Sequence, residues 1–121
     1  MDTIKLFDSE LKVMDIIWEK EPITAKEISV ILNDAIGWNK NTTYTIIKKL
    51  IDKKIIQREE PNFICTSIIK RGQIQRSETK QLIDRLYQGS KKMFFAAFLQ
   101  NEKLSKEEAE ELKGLIDKSE E

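Results

Sequence analysis

Wound as a helix at about 100° per residue, the stretch WNKNTTYTIIKKLIDKKIIQR, from Trp38 to Arg58, separates into two faces. Asn41, Thr42, Thr45, Lys48, Lys49 and Asp52 fall on one side, with Tyr44 at the flank. Thr43, Ile46, Ile47, Leu50 and Ile51 fall on the other. All the outward residues but Asp52 can donate hydrogen bonds, from short polar or cationic side chains. Phosphate oxygens and base edges in a DNA major groove call for that equipment. The stretch carries six basic residues (Lys40, Lys48, Lys49, Lys53, Lys54, Arg58) against one acid, Asp52. In a chain of 21 basic and 21 acidic residues, that excess marks a positive patch on a neutral background. The same pattern also fits an amphipathic helix whose wet face is merely solvated, so the surrounding chain has to decide.

Several chemistries are excluded by composition. There is no histidine and a single cysteine, Cys65, which removes Cys/His metal sites, internal disulfides and Ser–His or Cys–His catalytic pairs. Cys65 stands in the apolar run FICTS and reads as a small core residue. The glycines (Gly37, Gly72, Gly89, Gly114) are isolated, so no phosphate-cradling loop is present. The reading is a non-enzyme without a cofactor or metal. No run of about 18 apolar residues occurs, and MDTIKLFDSE lacks a signal peptide's pattern, so a cytoplasmic protein without membrane insertion is expected.

The elements that would position the patch follow from local signals. Asp8 or Ser9 is a candidate N-cap for a helix running to Lys20, with Leu11, Met14, Ile17 and Trp18 on its buried face. Glu21-Pro22 breaks it. Thr24 and Glu27 form a capping box for a second helix lined by Ala25, Ile28, Ile31, Leu32 and Ala35, and Gly37 closes it. Asn41 can then cap a third helix, at about 41–53. Two short helices, a glycine turn and a longer polar-faced helix make a helix-turn-helix. The β-branched runs on either side of Pro61-Asn62 predict a hairpin, the wing of a winged helix. At its tip Arg58 and Asn62 are candidate DNA contacts, opposed by Glu59 and Glu60.

From Lys70 onward the pattern changes. Ile74, Leu82, Ile83, Leu86 and Tyr87 predict a long helix ending at Gly89. The following run, Met93 to Leu99, is apolar throughout and holds three of the five phenylalanines. Ser105 and Glu108 form a second capping box for a last helix carrying Leu112, Leu115 and Ile116. Short helices cannot bury so much aromatic surface alone, so a second subunit is expected against Leu82, Leu86, Met93, Phe94, Phe95, Phe98, Leu112 and Leu115. The fold class is mainly α: a winged helix-turn-helix DNA-binding domain over 1–70, then a helical dimerisation domain over 71–121. A protein-interaction module without DNA, or a regulator gated by a small molecule, remain the alternative functions.

Three segments in order, DSELKVMDIIW, WNKNTTYTIIKKLIDKKII and FFAAFLQNEKLSKEEAEELKGLID, resemble the penicillinase-repressor (BlaI/MecI) family over residues 6–118. The resemblance implies a homodimeric winged-helix repressor of operator DNA, released when a membrane sensor metallopeptidase answering a β-lactam cuts the dimerisation segment. Thr42 and Thr45 match the family's recognition-helix threonines, whereas Asn41 and Tyr44 stand where longer polar or basic residues are common. Lys54 replaces the glycine that usually closes the recognition helix. The bond matching the family's scissile bond is Ala97–Phe98, with the residue after the cut kept and the one before it changed. The cysteine cluster of the copper-responsive branch is missing, so copper sensing is not expected.

Overall fold

The computed structural model describes residues 4–120. In chain order it contains α1 (Asp8–Lys20), β1 (Ile23–Thr24), α2 (Ala25–Ile36), α3 (Lys40–Asp52), β2 (Ile56–Glu59), β3 (Ile64–Ser67), α4 (Arg71–Leu86), α5 (Lys91–Asn101) and α6 (Lys106–Ser119). Contacts divide the chain into two units, Met1–Thr79 and Lys80–Glu121, with α4 contributing to both.

The first unit is three helices on a small sheet. Val13, Met14 and Ile17 of α1, Ile28 and Leu32 of α2, and Ile46, Ile47 and Leu50 of α3 meet in one core. Ile23, Ile56 and Cys65 close that core from the sheet. Trp18 lies at its edge and donates its indole N–H to the Ile69 carbonyl at 2.9 Å. Leu11 and Ala35, expected on buried faces, are exposed. Leu11 is in the first turns of α1 and Ala35 in the last turn of α2.

Local signals set most boundaries. Thr24 and Glu27 make the expected capping box at the start of α2, and Gly37 ends it with φ 75°. For α1 the N-cap is Phe7, not Asp8 or Ser9. Phenylalanine has no oxygen to offer, and the end is held instead by Glu10, whose carboxylate accepts the Phe7 N–H at 2.9 Å.

At the far end of α3 the Ile55 N–H bonds the Leu50 carbonyl and the Lys54 N–H bonds the Ile51 carbonyl, at 3.0 and 2.9 Å. That pair of bonds is a Schellman motif, and it puts Lys54, at φ 62°, where glycine is preferred.

The hairpin forms as expected, with Ile56 opposite Ser67 and Arg58 opposite Cys65. A two-residue strand, β1, joins its β3 edge through Ile23 and Thr24, giving the order β1-β3-β2. The Glu21 carboxylate accepts the Ser67 N–H at 2.7 Å and the Ser67 hydroxyl at 2.9 Å, tying the end of α1 to that strand.

In the second unit, Ser105 and Glu108 cap α6 as a box, and Ser90 caps α5 by accepting the Met93 N–H. Phe94 stacks on Phe98 at 6.3 Å between centroids and meets Tyr87 edge-on at 5.5 Å. No residue of α5 or α6 is buried.

Candidate nucleic-acid interface

The presentation of α3 is decided by its inner face. Thr43, Ile46, Ile47 and Leu50 are buried, which turns Lys40, Asn41, Thr42, Thr45, Lys48 and Lys49 outward. The expected two-faced helix is therefore present, starting one residue earlier than expected. Its cap is Asn39, not Asn41: the Asn39 carboxamide oxygen accepts the Thr42 N–H at 2.8 Å. From the last turn of α2, the Asn33 side chain donates to the Trp38 carbonyl at 2.9 Å and fixes the path into the helix. Asn41 consequently stands inside the first turn with its side chain exposed. The expected cap, Asn41, lies two residues too far along, because the turn after Gly37 is shorter than the spacing suggested.

The outward groups have distinct hydrogen-bonding states. Thr45 donates its hydroxyl to the Asn41 carbonyl at 2.8 Å, leaving its lone pairs and its methyl group for a partner. Among the described residues no ion pair holds Lys48 or Lys49. Lys53, counted in the basic patch by sequence, instead reaches back to Glu10 of α1.

Tyr44 is half-buried and meets the ring of Phe63 edge-on at 5.8 Å, while the Lys40 ammonium lies 5.5 Å from its own centroid. The tyrosine thus joins the helix to the wing. Phe63 closes the hairpin loop at φ 53°, with Asn62 before it at φ 76°. Arg58 stacks on Phe63, with the guanidinium carbon 3.7 Å from the ring centroid, and pairs with Glu60. Both wing candidates, Arg58 and Asn62, are exposed.

Cys65 lies in the core beneath the wing. Burial pushes its thiol up from 9.0 to about 11, and the nearby Arg58 charge offsets part of that rise. A neutral, buried thiol is a packing residue.

The residues expected at a subunit interface are mostly open to solvent. Leu82, Leu86, Met93, Phe95, Phe98, Leu112 and Leu115 are exposed, and Phe94 is half-buried. Ala97–Phe98 lies inside α5, and the Asn101 side chain donates to the Ala97 carbonyl at 3.0 Å. Among the described residues no helix is long and apolar enough to cross a membrane.

A polar-faced helix delivered by a glycine turn and followed by a small antiparallel hairpin defines the winged helix-turn-helix class of DNA-binding fold. The sequence profile of the penicillinase repressor family matches residues 6–118, and the chain belongs to that family of transcriptional repressors. It is 30% identical over 118 residues to the methicillin resistance regulatory protein MecI of Mammaliicoccus sciuri, covering 96% of each chain. It is 32% identical over 115 residues to a penicillinase repressor of Staphylococcus aureus, covering 93% of this chain and 91% of that one. The solution structure of the DNA-binding domain of the repressor BlaI superposes with a TM-score of 0.55 at 26% identity, over 60% of this chain and 90% of that one. The Bacillus licheniformis BlaI monomeric form in complex with the blaP half-operator gives a TM-score of 0.51 at 27% identity, with the same coverage.

Proposed function

We propose that the chain is a homodimeric repressor that sets α3 of each subunit into the major groove of an inverted-repeat operator. The observation that carries this is the outer face of α3, where Lys40, Asn41, Thr42, Thr45, Lys48 and Lys49 are exposed together on a helix locked by its buried side. The similar BlaI monomer solved on a half-operator supports the reading. Lys40, Lys48, Lys49 and Arg58 anchor phosphates, while Asn41, Thr42, Tyr44 and Thr45 face base edges. Two such helices are spaced by about one DNA turn, roughly 34–36 Å, or a multiple of it.

The second unit supplies the partner surface. Phe95 at 54%, Phe98 at 49% and Leu115 at 63% exposure are costly to leave in water. Each large apolar side chain covered by a second subunit contributes roughly 1.5–3 kcal/mol. Repression ends when a membrane sensor metallopeptidase, in a β-lactam response, cuts Ala97–Phe98. That cut separates Met93, Phe94 and Phe95 from Phe98 and α6, dividing the surface that holds the dimer.

Anisotropy titrations of a short duplex at low and moderate salt test the DNA reading. Affinity is expected to fall steeply with salt, and Lys48→Glu with Lys49→Glu is expected to abolish binding. Salt-independent binding, or wild-type affinity in that double variant, would contradict it. For the cut, mass spectrometry after incubation with the cognate sensor should find fragments ending at Ala97 and beginning at Phe98. A chain intact across residues 93–102 would remove cleavage from the mechanism.

A further inference from the structure

The two acids of the wing are sorted onto different sides of it, and only one of them holds Arg58. Residues opposite each other in an antiparallel pair share a face. Arg58 is opposite Cys65, and Ile56 is opposite Ser67. Ile56, Cys65 and Ser67 are all buried, so Arg58 extends the inner face of the sheet beyond the core. Glu59 stands on the other face, opposite Ile64, and accepts from the Gln57 side chain at 3.4 Å. Glu60, in the loop, is the carboxylate that takes the Arg58 Nε.

Arg58 is also aimed. Its guanidinium sits over the Phe63 ring, Phe63 meets Tyr44 edge-on, and Lys40, the first residue of α3, sits over Tyr44. That ladder places the cation of the wing beside the cationic face of the recognition helix. Phe63 holds its place in the ladder at φ 53°, a left-handed conformation that bulky side chains rarely adopt. Only Nε of Arg58 is used by Glu60, and the guanidinium carries further donors in a fixed fork suited to phosphate. Both partners are exposed, with Arg58 at 45% and Glu60 at 59%, so water competes for the pair and little holds it shut.

We propose that Arg58 is a phosphate anchor held in reserve by Glu60: free, it is self-paired, and on a duplex it exchanges the carboxylate for a backbone phosphate while staying stacked on Phe63. Glu60 thereby lowers the affinity of the wing for any DNA, which limits capture on non-operator sequence. The proposal rests on the DNA-binding reading above.

A labelled mixed-sequence duplex, titrated at several salt concentrations with the full-length chain and its Glu60→Gln, Glu59→Gln, Arg58→Gln and Arg58→Gln/Glu60→Gln variants, tests it. Glu60→Gln is expected to tighten binding about three- to tenfold with a log–log salt slope close to wild type, because Arg58 holds the same phosphate in both complexes, whereas Arg58→Gln should flatten the slope by about 0.9. Glu59→Gln should do less, and in the Arg58→Gln background the gain from Glu60→Gln should shrink to the size of the Glu59→Gln effect. Equal gains from the two glutamates, or a Glu60→Gln gain that survives loss of Arg58, would overturn the proposal while leaving DNA binding intact. A wild-type chain that binds no duplex at any salt would overturn the DNA reading and this proposal with it.

Discussion

Lys53 Nζ lies 2.8 Å from Oε1 and 2.7 Å from Oε2 of Glu10, a carboxylate only 2% exposed. The residue that caps the end of α3 is thereby fastened to the first turn of α1, 43 positions earlier in the chain. The Phe7 ring sits 4.9 Å from the same ammonium. Without Lys53, Glu10 would remain buried with the Phe7 N–H as its single hydrogen-bond donor among the described residues. Lys53→Met is therefore expected to cost roughly 2–4 kcal/mol, and Glu10→Met added to it to restore part of the loss. Urea denaturation of the two variants checks this, and a Lys53→Met protein as stable as wild type would contradict it.

Lys54 holds the glycine position of the Schellman motif that ends α3. A side chain in the left-handed region crowds the following carbonyl at a cost of roughly 1–2 kcal/mol. Lys54→Gly relieves that crowding but gives the unfolded chain more freedom to lose. The net expectation is a gain of about 0.5–1 kcal/mol, read from thermal and urea midpoints. A loss of stability would mean that the lysine side chain makes a compensating contact.

Cys65 gives stability a pH dependence at the alkaline end. Its thiol is held protonated in the folded state, at about 11 against an ordinary 9.0. The folded chain therefore binds this proton more tightly than the unfolded one. The resulting stability is fully present below pH 9 and is lost as pH rises through about 11. Cys65→Val should flatten that part of the curve relative to wild type. Thiol-reactive probes at pH 8 should label the protein only after unfolding, and prompt labelling of the native chain would contradict the burial.

Thr45 and Lys49 separate reading from anchoring. With its hydroxyl proton engaged by Asn41, Thr45 meets DNA through lone pairs and a methyl group. Thr45→Ala should relax sequence preference at one position of the half-site, costing about 1–3 kcal/mol on the preferred sequence alone. Lys49→Ala should weaken all sequences alike and reduce the salt slope by about 0.9. Parallel losses on specific and mixed-sequence duplexes for both variants would dissolve the distinction.

What the sequence revealed was mostly local. The Thr24–Glu27 and Ser105–Glu108 boxes span a single turn each, and Gly37 needs only its own backbone, so all three could be read directly. The two faces of α3 follow from periodicity alone. Between Asn39 and Asn41, the choice of cap depends on the turn length fixed by Asn33 and Trp38, which composition does not encode. Glu10 carries no local signal of burial, because its partner Lys53 lies 43 positions along the chain. Strand β1 is two residues long and exists only through its pairing with β3, so no pattern announced it. Phe63 has the apolar side chain of a strand residue, whereas its backbone belongs to the loop, and its contacts with Arg58 and Tyr44 depend on long-range packing that no local pattern encodes.

As part of a dimer, α3 is expected to read an inverted repeat. Sequencing the duplexes retained by the full-length chain from a random pool at moderate salt tests it most directly. An enriched inverted repeat is expected, with half-site centres about one helical turn, or a multiple of it, apart. Retention without enrichment, or enrichment of a single unrepeated site, would contradict it.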